Sequence, residues 1–279
     1  SVPRPRLLAV DIDGTLVNSR DELTPRTQLA VQRARRHGIE VVLATGRRYS
    51  RTLPLVERLG LDVPLVTASG ALIKHPRDHR TLFQAHFDRQ LLCSLLSAVA
   101  SHGYDAVLYT DSYCQGFDFY CPSLTVDDEE LADYLARNPG CGREWPQLMT
   151  SPPDGVFAGF VTGTREEMLA LERALALEFG ERLSLHVLRS PRYLGFMCEL
   201  APQGVTKWSG ILRLARQWGV SPDEICAVGD DVNDIPMIRE AGLGIAMGNA
   251  LDVVKQAADR IAPSHDEDGL AQIVEWLTQ

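Results

Sequence analysis

The sequence predicts an α/β protein, a doubly wound and mostly parallel core sheet with a separate α+β domain inserted into it. Short, wholly apolar runs alternate with amphipathic stretches at both ends of the 279-residue chain. Each run stops at a polar, glycine-bearing turn. The middle of the chain loses this grammar. Strands alternating with helices argue for right-handed β-α-β units.

The first run is Leu7-Leu8-Ala9-Val10. Four consecutive apolar residues suit a strand buried on both faces. It ends at Asp11-Ile12-Asp13-Gly14-Thr15. A helix follows, with Thr24 as N-cap, Pro25 in the first helical position and Gly38 just past its end. Ile39 to Ala44 reads as a second strand, ending at Thr45-Gly46-Arg47. The next helical stretch, toward Leu59-Gly60, carries Pro54, which weakens it. Pro64 to Thr67 is a third strand leading into Ala68-Ser69-Gly70.

The pattern resumes near the C-terminus. Lys207 to Trp218 is helical, with Ile211, Leu212, Ala215 and Trp218 on one face. Ile225 to Val228 is a strand ending at Gly229-Asp230, and a helix begins near Asn233. Leu243 to Met247, Ala250 to Ala258, Arg260 to Ala262 and Gly269 to Leu277 read as strand, helix, strand and helix. This divides the chain into a core of residues 1–80 and 198–279 and an insertion of residues 81–197. In the insertion, Leu91, Leu92, Leu95, Leu96 and Val99 mark an amphipathic helix, and Thr164 with Glu167 forms a capping box. Strand-like runs are Ala106 to Thr110, Gln115 to Tyr120, Val156 to Thr162, Leu183 to Leu188 and Tyr193 to Cys198. Asp127 to Pro153 reads as loop with one short helix.

Composition bounds the function. The chain is 45% hydrophobic and 23% charged, ordinary for a globular protein with a sizeable core. A formal net charge of −9 repels nucleic-acid phosphates, so nucleic acid is not an expected partner. No apolar run reaches membrane-spanning length, and Ser1 to Arg6 has no signal-peptide core. The six cysteines include no C-x-x-C pair and are expected to be reduced, in a cytoplasmic protein.

Four groups of residues carry chemistry. Asp11 and Asp13 sit where a buried strand ends, the edge at which open α/β sheets bind ligands. On a strand, residues i and i+2 face the same way, roughly 6–7 Å apart. Two such carboxylates repel unless a cation intervenes, and oxygen ligands suit Mg²⁺. A calcium loop is the competing reading, since Glu22 is the twelfth residue from Asp11. Its sixth position is Leu16 where such a loop needs Gly. Asp230, Asn233 and Asp234 repeat the pattern after a later strand. Asn233 and Asp234 could equally be a helix cap and a first-turn acid, while Asp231 is expected to face solvent. Thr45 and Gly46 offer a hydroxyl and a backbone N–H to a phosphate oxygen, or an ordinary N-cap. Lys207 could offset phosphate charge or be one more surface lysine.

In this order, Asp11-Ile12-Asp13-Gly14-Thr15-Leu16, Ala44-Thr45-Gly46-Arg47, Gly204-Val205-Thr206-Lys207 and Gly229-Asp230-Asp231-Val232-Asn233-Asp234 with Met237 resemble the haloacid dehalogenase superfamily of phosphohydrolases. The run Gly244-Ile245-Ala246-Met247-Gly248-Asn249-Ala250 resembles its Cof-type subfamily, and the insertion has the position and size of a type IIB cap. The resemblance implies a Rossmann-like core and a Mg²⁺-dependent phosphatase acting on a small phosphorylated metabolite, a sugar phosphate above all. It implies Asp11 as nucleophile, forming an aspartyl phosphate, and Asp13 as general acid and then base. Mg²⁺ would be held by the Asp11 side chain, the Asp13 backbone carbonyl and Asp230. Thr45, the N–H groups of Ile12 and Gly46, Lys207 and Asn233 would hold the phosphoryl oxygens, and Asp234 would orient the metal site or Lys207. A phosphomutase or phosphotransferase could use the same intermediate, and a non-catalytic sensor could use the same fold. Two positions depart from the subfamily pattern: Ser69 replaces Asn before Gly70, and Trp208 replaces Gly after the lysine. Both are expected to reshape the mouth of the site. In the cap, Tyr109, Tyr113, Phe117, Arg189 and Arg192 are candidates for substrate contact, against the ordinary reading as packing or surface.

Overall fold

The computed structural model describes residues 4–189 and 192–279. They form two compact units. One combines the chain up to Phe83 with Thr206–Gln279, and the other is Gln84–Val205.

The first unit begins with β1 (Leu7–Val10), α1 (Pro25–Arg36), β2 (Glu40–Leu43), α2 (Tyr49–Leu59), β3 (Leu65–Thr67), β4 (Leu72–Lys74) and β5 (Thr81–Gln84). Thr24 caps α1 by accepting the Thr27 N–H, with Pro25 in its first turn. α2 runs through Pro54, which removes one backbone donor. The helix continues because Leu55, Val56 and Leu59 are buried.

The second unit follows as α3 (Arg89–Ser101), β6 (Val107–Thr110), β7 (Phe119–Cys121), α4 (Glu129–Arg137), β8 (Gly142–Glu144), β9 (Val156–Gly163), α5 (Arg165–Phe179), β10 (Leu183–Arg189) and β11 (Phe196–Pro202). Its sheet has the order β10-β11-β9-β6-β7-β8. All pairs are antiparallel except β7 with β8. Leu92, Leu95, Leu96 and Val99 of α3 and Met168, Leu171 and Leu175 of α5 form its core with Leu108, Val161 and Leu200. The Thr164–Glu167 capping box opens α5. β11 belongs to this unit through its pairing with β9 and β10. Residues 198 to 205, expected from the sequence pattern to lie in the core, are therefore part of the insertion. The run expected at Gln115–Tyr120 starts late because Gly116 takes a positive φ of 89° after a single 3₁₀ turn. The strand expected at Tyr193–Cys198 is likewise displaced toward the C-terminus.

The first unit then resumes with α6 (Lys207–Gln217), β12 (Ile225–Gly229), α7 (Ile235–Glu240), β13 (Leu243–Ala246), α8 (Asp252–Ala257), β14 (Arg260–Ile261) and α9 (Gly269–Leu277). Its main sheet is β14-β13-β12-β1-β2, every pair parallel. β1 is an interior strand between β12 and β2 and is wholly buried, with Leu7 opposite both Ile225 and Glu40. Leu7, Ala9, Val42 and Ala227 pack under Trp208 and Ile211 of α6 and Met237 of α7. Strand alternation turns Leu8 and Val10 the other way. α1 and α9 pack together as a further pair. Trp208 is 8% exposed and belongs to this core, so it does not shape the mouth of the site. All six cysteines are free thiols. Among the described residues no helix is long and apolar enough to cross a membrane.

Candidate active site

The carboxyl ends of β1, β2 and β12 come together with the N-terminus of α6. Asp11 follows β1 directly and is buried. Its Oδ1 accepts the Ile12 N–H at 2.8 Å and the Lys207 Nζ at 2.8 Å. The backbone then turns through Gly14 at φ 75°. A Cβ on Gly14 would overlap the Asp230 carboxylate, so only glycine lets the turn lie against that group. The run after β13 secures the turn: Asn249 Nδ2 donates to the Gly14 carbonyl at 2.9 Å, and Asn249 Oδ1 accepts the His265 N–H.

Lys207 opens α6. Thr206 caps that helix by accepting the Ser209 N–H, and Ser209 Oγ accepts the Thr206 N–H. The lysine is 1% exposed and is no surface residue. Its ammonium donates to Asp11 and, at 2.7 Å, to Asp234 Oδ1. Burial opposes its charge, but the carboxylates of Asp11 and Asp234 outweigh that and hold its pKa above the usual lysine value. Asp234 Oδ2 accepts the N–H groups of Asp230 and Asp231. With both oxygens committed, Asp234 fixes Lys207 and the backbone of the Asp230 loop.

One oxygen each from Asp11, Asp230 and Asp234 lie within 4.8 Å of one another. Burial, then the Asp234 charge, raises the Asp11 pKa. Burial raises that of Asp230 to about 8. Oδ1 of Asp230 is buried and has no hydrogen-bond partner among the described residues. An orphaned carboxylate oxygen beside a second buried carboxylate fits a hard divalent cation. Asp11 and Asp230 are the two carboxylates with capacity for it.

The Asp13 carboxylate lies apart from this group, clasped by Arg47 through Nε at 3.0 Å and Nη2 at 2.8 Å. The same Nη2 donates to Asp21 Oδ1 at 2.9 Å. Thr45 is buried, and its Oγ1 accepts the Arg47 N–H at 2.9 Å. Gly46 is half-buried in the same turn. Asn233 does not cap the following helix. Its Nδ2 donates to Ser69 Oγ at 3.2 Å. Asp231 takes the capping role, accepting the Val232 N–H at 2.6 Å, instead of facing solvent. The Ile12 N–H donates to the Asp11 carboxylate at 2.8 Å.

The sequence pattern leaves Arg47 without a role, passes over Asp21, and marks Ser69 only as a departure. A guanidinium three residues after the expected strand end was the available signal for Arg47. In the second unit, Tyr109 is buried and stacks on Phe157 at 6.0 Å, and Phe117 is buried edge-on to Tyr120 at 5.0 Å. Both are packing residues. Tyr113 and Arg192 are half-buried, and Arg189 is exposed at the end of β10.

A family model for haloacid dehalogenase-like hydrolases matches residues 8–274. The chain belongs to that family, and it is a phosphatase-type enzyme of the Cof-like branch. It is 29% identical to phosphatase YwpJ of Bacillus subtilis, covering 98% of this chain and 99% of that one. It is 27% identical to the 5-amino-6-(5-phospho-D-ribitylamino)uracil phosphatase YitU of the same organism, covering 97% of each. Its fold matches the HAD subclass IIB sugar phosphatase BT4131 with a TM-score of 0.77 at 23% identity, over 97% of this chain and 98% of that one.

Proposed function

We propose that this chain is a Mg²⁺-dependent phosphomonoesterase that cleaves the phosphate ester of a sugar or polyol through an aspartyl phosphate on Asp11. The observation that carries the reading is the buried Asp11–Lys207–Asp234 chain. Two donors hold Asp11 Oδ1, which turns the carboxylate so that its other oxygen is the one that attacks phosphorus. Lys207 is held between two carboxylates, so its charge stays fixed where phosphoryl charge would develop. A positioned ammonium needs no reorganisation when the substrate arrives.

The reaction runs in two displacements. Asp11 attacks phosphorus, the ester oxygen leaves, and Asp13 gives that oxygen a proton. Asp13 then takes a proton from water, whose oxygen attacks phosphorus and releases inorganic phosphate and free Asp11. Arg47 holds the ionised Asp13 carboxylate by both its oxygens, which positions the group, and one of these oxygens leaves the guanidinium when Asp13 carries the proton. Thr45, Gly46 and Asn233 serve the phosphoryl oxygens. Mg²⁺, held by Asp11, the Asp13 carbonyl and Asp230, would neutralise phosphoryl charge.

The chemistry-bearing residues of the first unit are all assigned to the phosphoryl group, the metal or the proton transfer, so we assign choice of the leaving group to the inserted unit. The names of the relatives, a phospho-D-ribityl compound and a sugar phosphate, support a polyhydroxy leaving group. A phosphate-release screen over sugar and polyol phosphates tests the reading. We expect turnover with Mg²⁺ that EDTA abolishes and excess Mg²⁺ restores. Hydrolysis indifferent to EDTA would contradict it.

A further inference from the structure

Backbone strain in the first unit concentrates at one turn. Ala68, Ser69 and Gly70 follow β3 with φ values of 47°, 53° and 99°. Glycine adopts that region freely, whereas alanine and serine do so rarely. Two such residues in succession persist only where the surroundings enforce them, and enforced strain gathers at functional sites.

The contacts of this turn show what enforces it. The Ala68 N–H donates to the Arg47 carbonyl at 3.0 Å, and the Ser69 N–H to the Thr45 carbonyl at 2.9 Å. Ser69 Oγ accepts Asn233 Nδ2 at 3.2 Å. Gly70 lies against the Thr206 carbonyl, which a Cβ there would overlap. Three residues thus touch the Thr45–Arg47 turn, the Asn233 loop and the residue that caps the Lys207 helix. These segments are remote in sequence, and each carries a residue that serves the phosphoryl group in the proposed reaction.

We infer that the Ala68–Gly70 turn is the element that sets the spacing of the phosphoryl-holding segments, with Ser69 as a positioning residue that aims the Asn233 amide. Asn233 has two N–H donors on one nitrogen. Giving one to Ser69 fixes the plane of the amide and leaves the other for a phosphoryl oxygen. The hydroxyl explains why serine stands where the backbone favours glycine. This inference rests on the phosphatase reading of the same site.

The test uses the full chain with Mg²⁺ and inorganic phosphate as probe, measured by calorimetry and as an inhibitor of ester hydrolysis. Ser69→Ala removes the hydroxyl and keeps the strain. Ser69→Gly removes both, so it cannot fail through backbone strain. Ser69→Asn restores a side-chain acceptor in a residue that tolerates φ near +50°. We expect phosphate to bind about fivefold more weakly to the Ala and Gly variants, the loss of one hydrogen bond, with thermal midpoints close to wild type or higher for Gly. The Asn variant should bind phosphate within about twofold of wild type. Equal affinity in wild type, Ala and Gly variants would overturn the inference, as would a loss in the Gly variant that tracks unfolding. A wild type that neither binds phosphate nor hydrolyses esters would instead remove the phosphatase reading, and this inference with it.

Discussion

The two units are built on opposite principles. The first buries charge: Asp11, Lys207 and Asp234 are each nearly or wholly inaccessible and hold one another in place. The inserted unit buries mostly hydrocarbon, with leucines of α3 and α5 on a mostly antiparallel sheet. Breaking a buried charge network is costly where it leaves a charge with no opposite partner, as loss of Lys207 would, and mild where a partner remains, as Asp234 does for Lys207 when Asp11 loses its charge. An apolar core tolerates exchange at roughly constant volume. The proposed chemistry thus rests on one unit, while the other can change its surface without losing its fold.

That contrast orders the expected effects. Asp11→Asn should reduce turnover by about ten-thousandfold or more with the thermal midpoint little changed, measured by phosphate release and calorimetry. Lys207→Met should leave two buried carboxylates facing each other. It is expected to lower stability by about 3–5 kcal/mol, seen in urea melts, and turnover by at least about a hundredfold. Leu95→Ala, in the inserted core, should cost about 2–5 kcal/mol in the same melts while turnover per folded molecule stays the same. If Leu95→Ala instead suppressed turnover as Lys207→Met does, the division of labour would be wrong.

A further effect is on pH dependence. The Asp230 pKa is raised to about 8 in the folded protein. A carboxyl raised in this way favours the folded state while protonated. Its contribution is complete below the usual carboxylate range and is lost as pH climbs toward about 8. Without metal, the thermal midpoint should therefore fall over that span. Mg²⁺ competes with the proton, so the rise in midpoint on adding Mg²⁺ should grow with pH. A metal effect that is constant across the range would separate Asp230 from the ion.

Much of the first unit was legible because its strands are short, apolar and sharply ended. β1, the Thr24-Pro25 start of α1 and the Gly269–Leu277 helix all follow from local chemistry. What was not legible depends on distant partners. Lysine at position 207 looks like any surface lysine until Asp11 and Asp234 surround it. Ala68 and Ser69 have no local preference for a left-handed turn, and that turn is imposed by Thr45, Arg47 and Thr206. Strand β11 takes its limits from β9 and β10, so its apolar pattern alone placed it too early. Asp231 took the cap that Asn233 could have supplied, and Asn233 is buried against Ser69, a partner remote in sequence.

Trapping the covalent intermediate tests the central claim most directly. The enzyme would be mixed with a ³²P-labelled substrate, quenched in acid during turnover and digested with trypsin. Label that hydroxylamine removes should appear on the peptide Leu7–Arg20, with fragmentation placing it on Asp11 rather than Asp13. Stable label on any other peptide, or turnover with full activity in Asp11→Asn, would contradict the account.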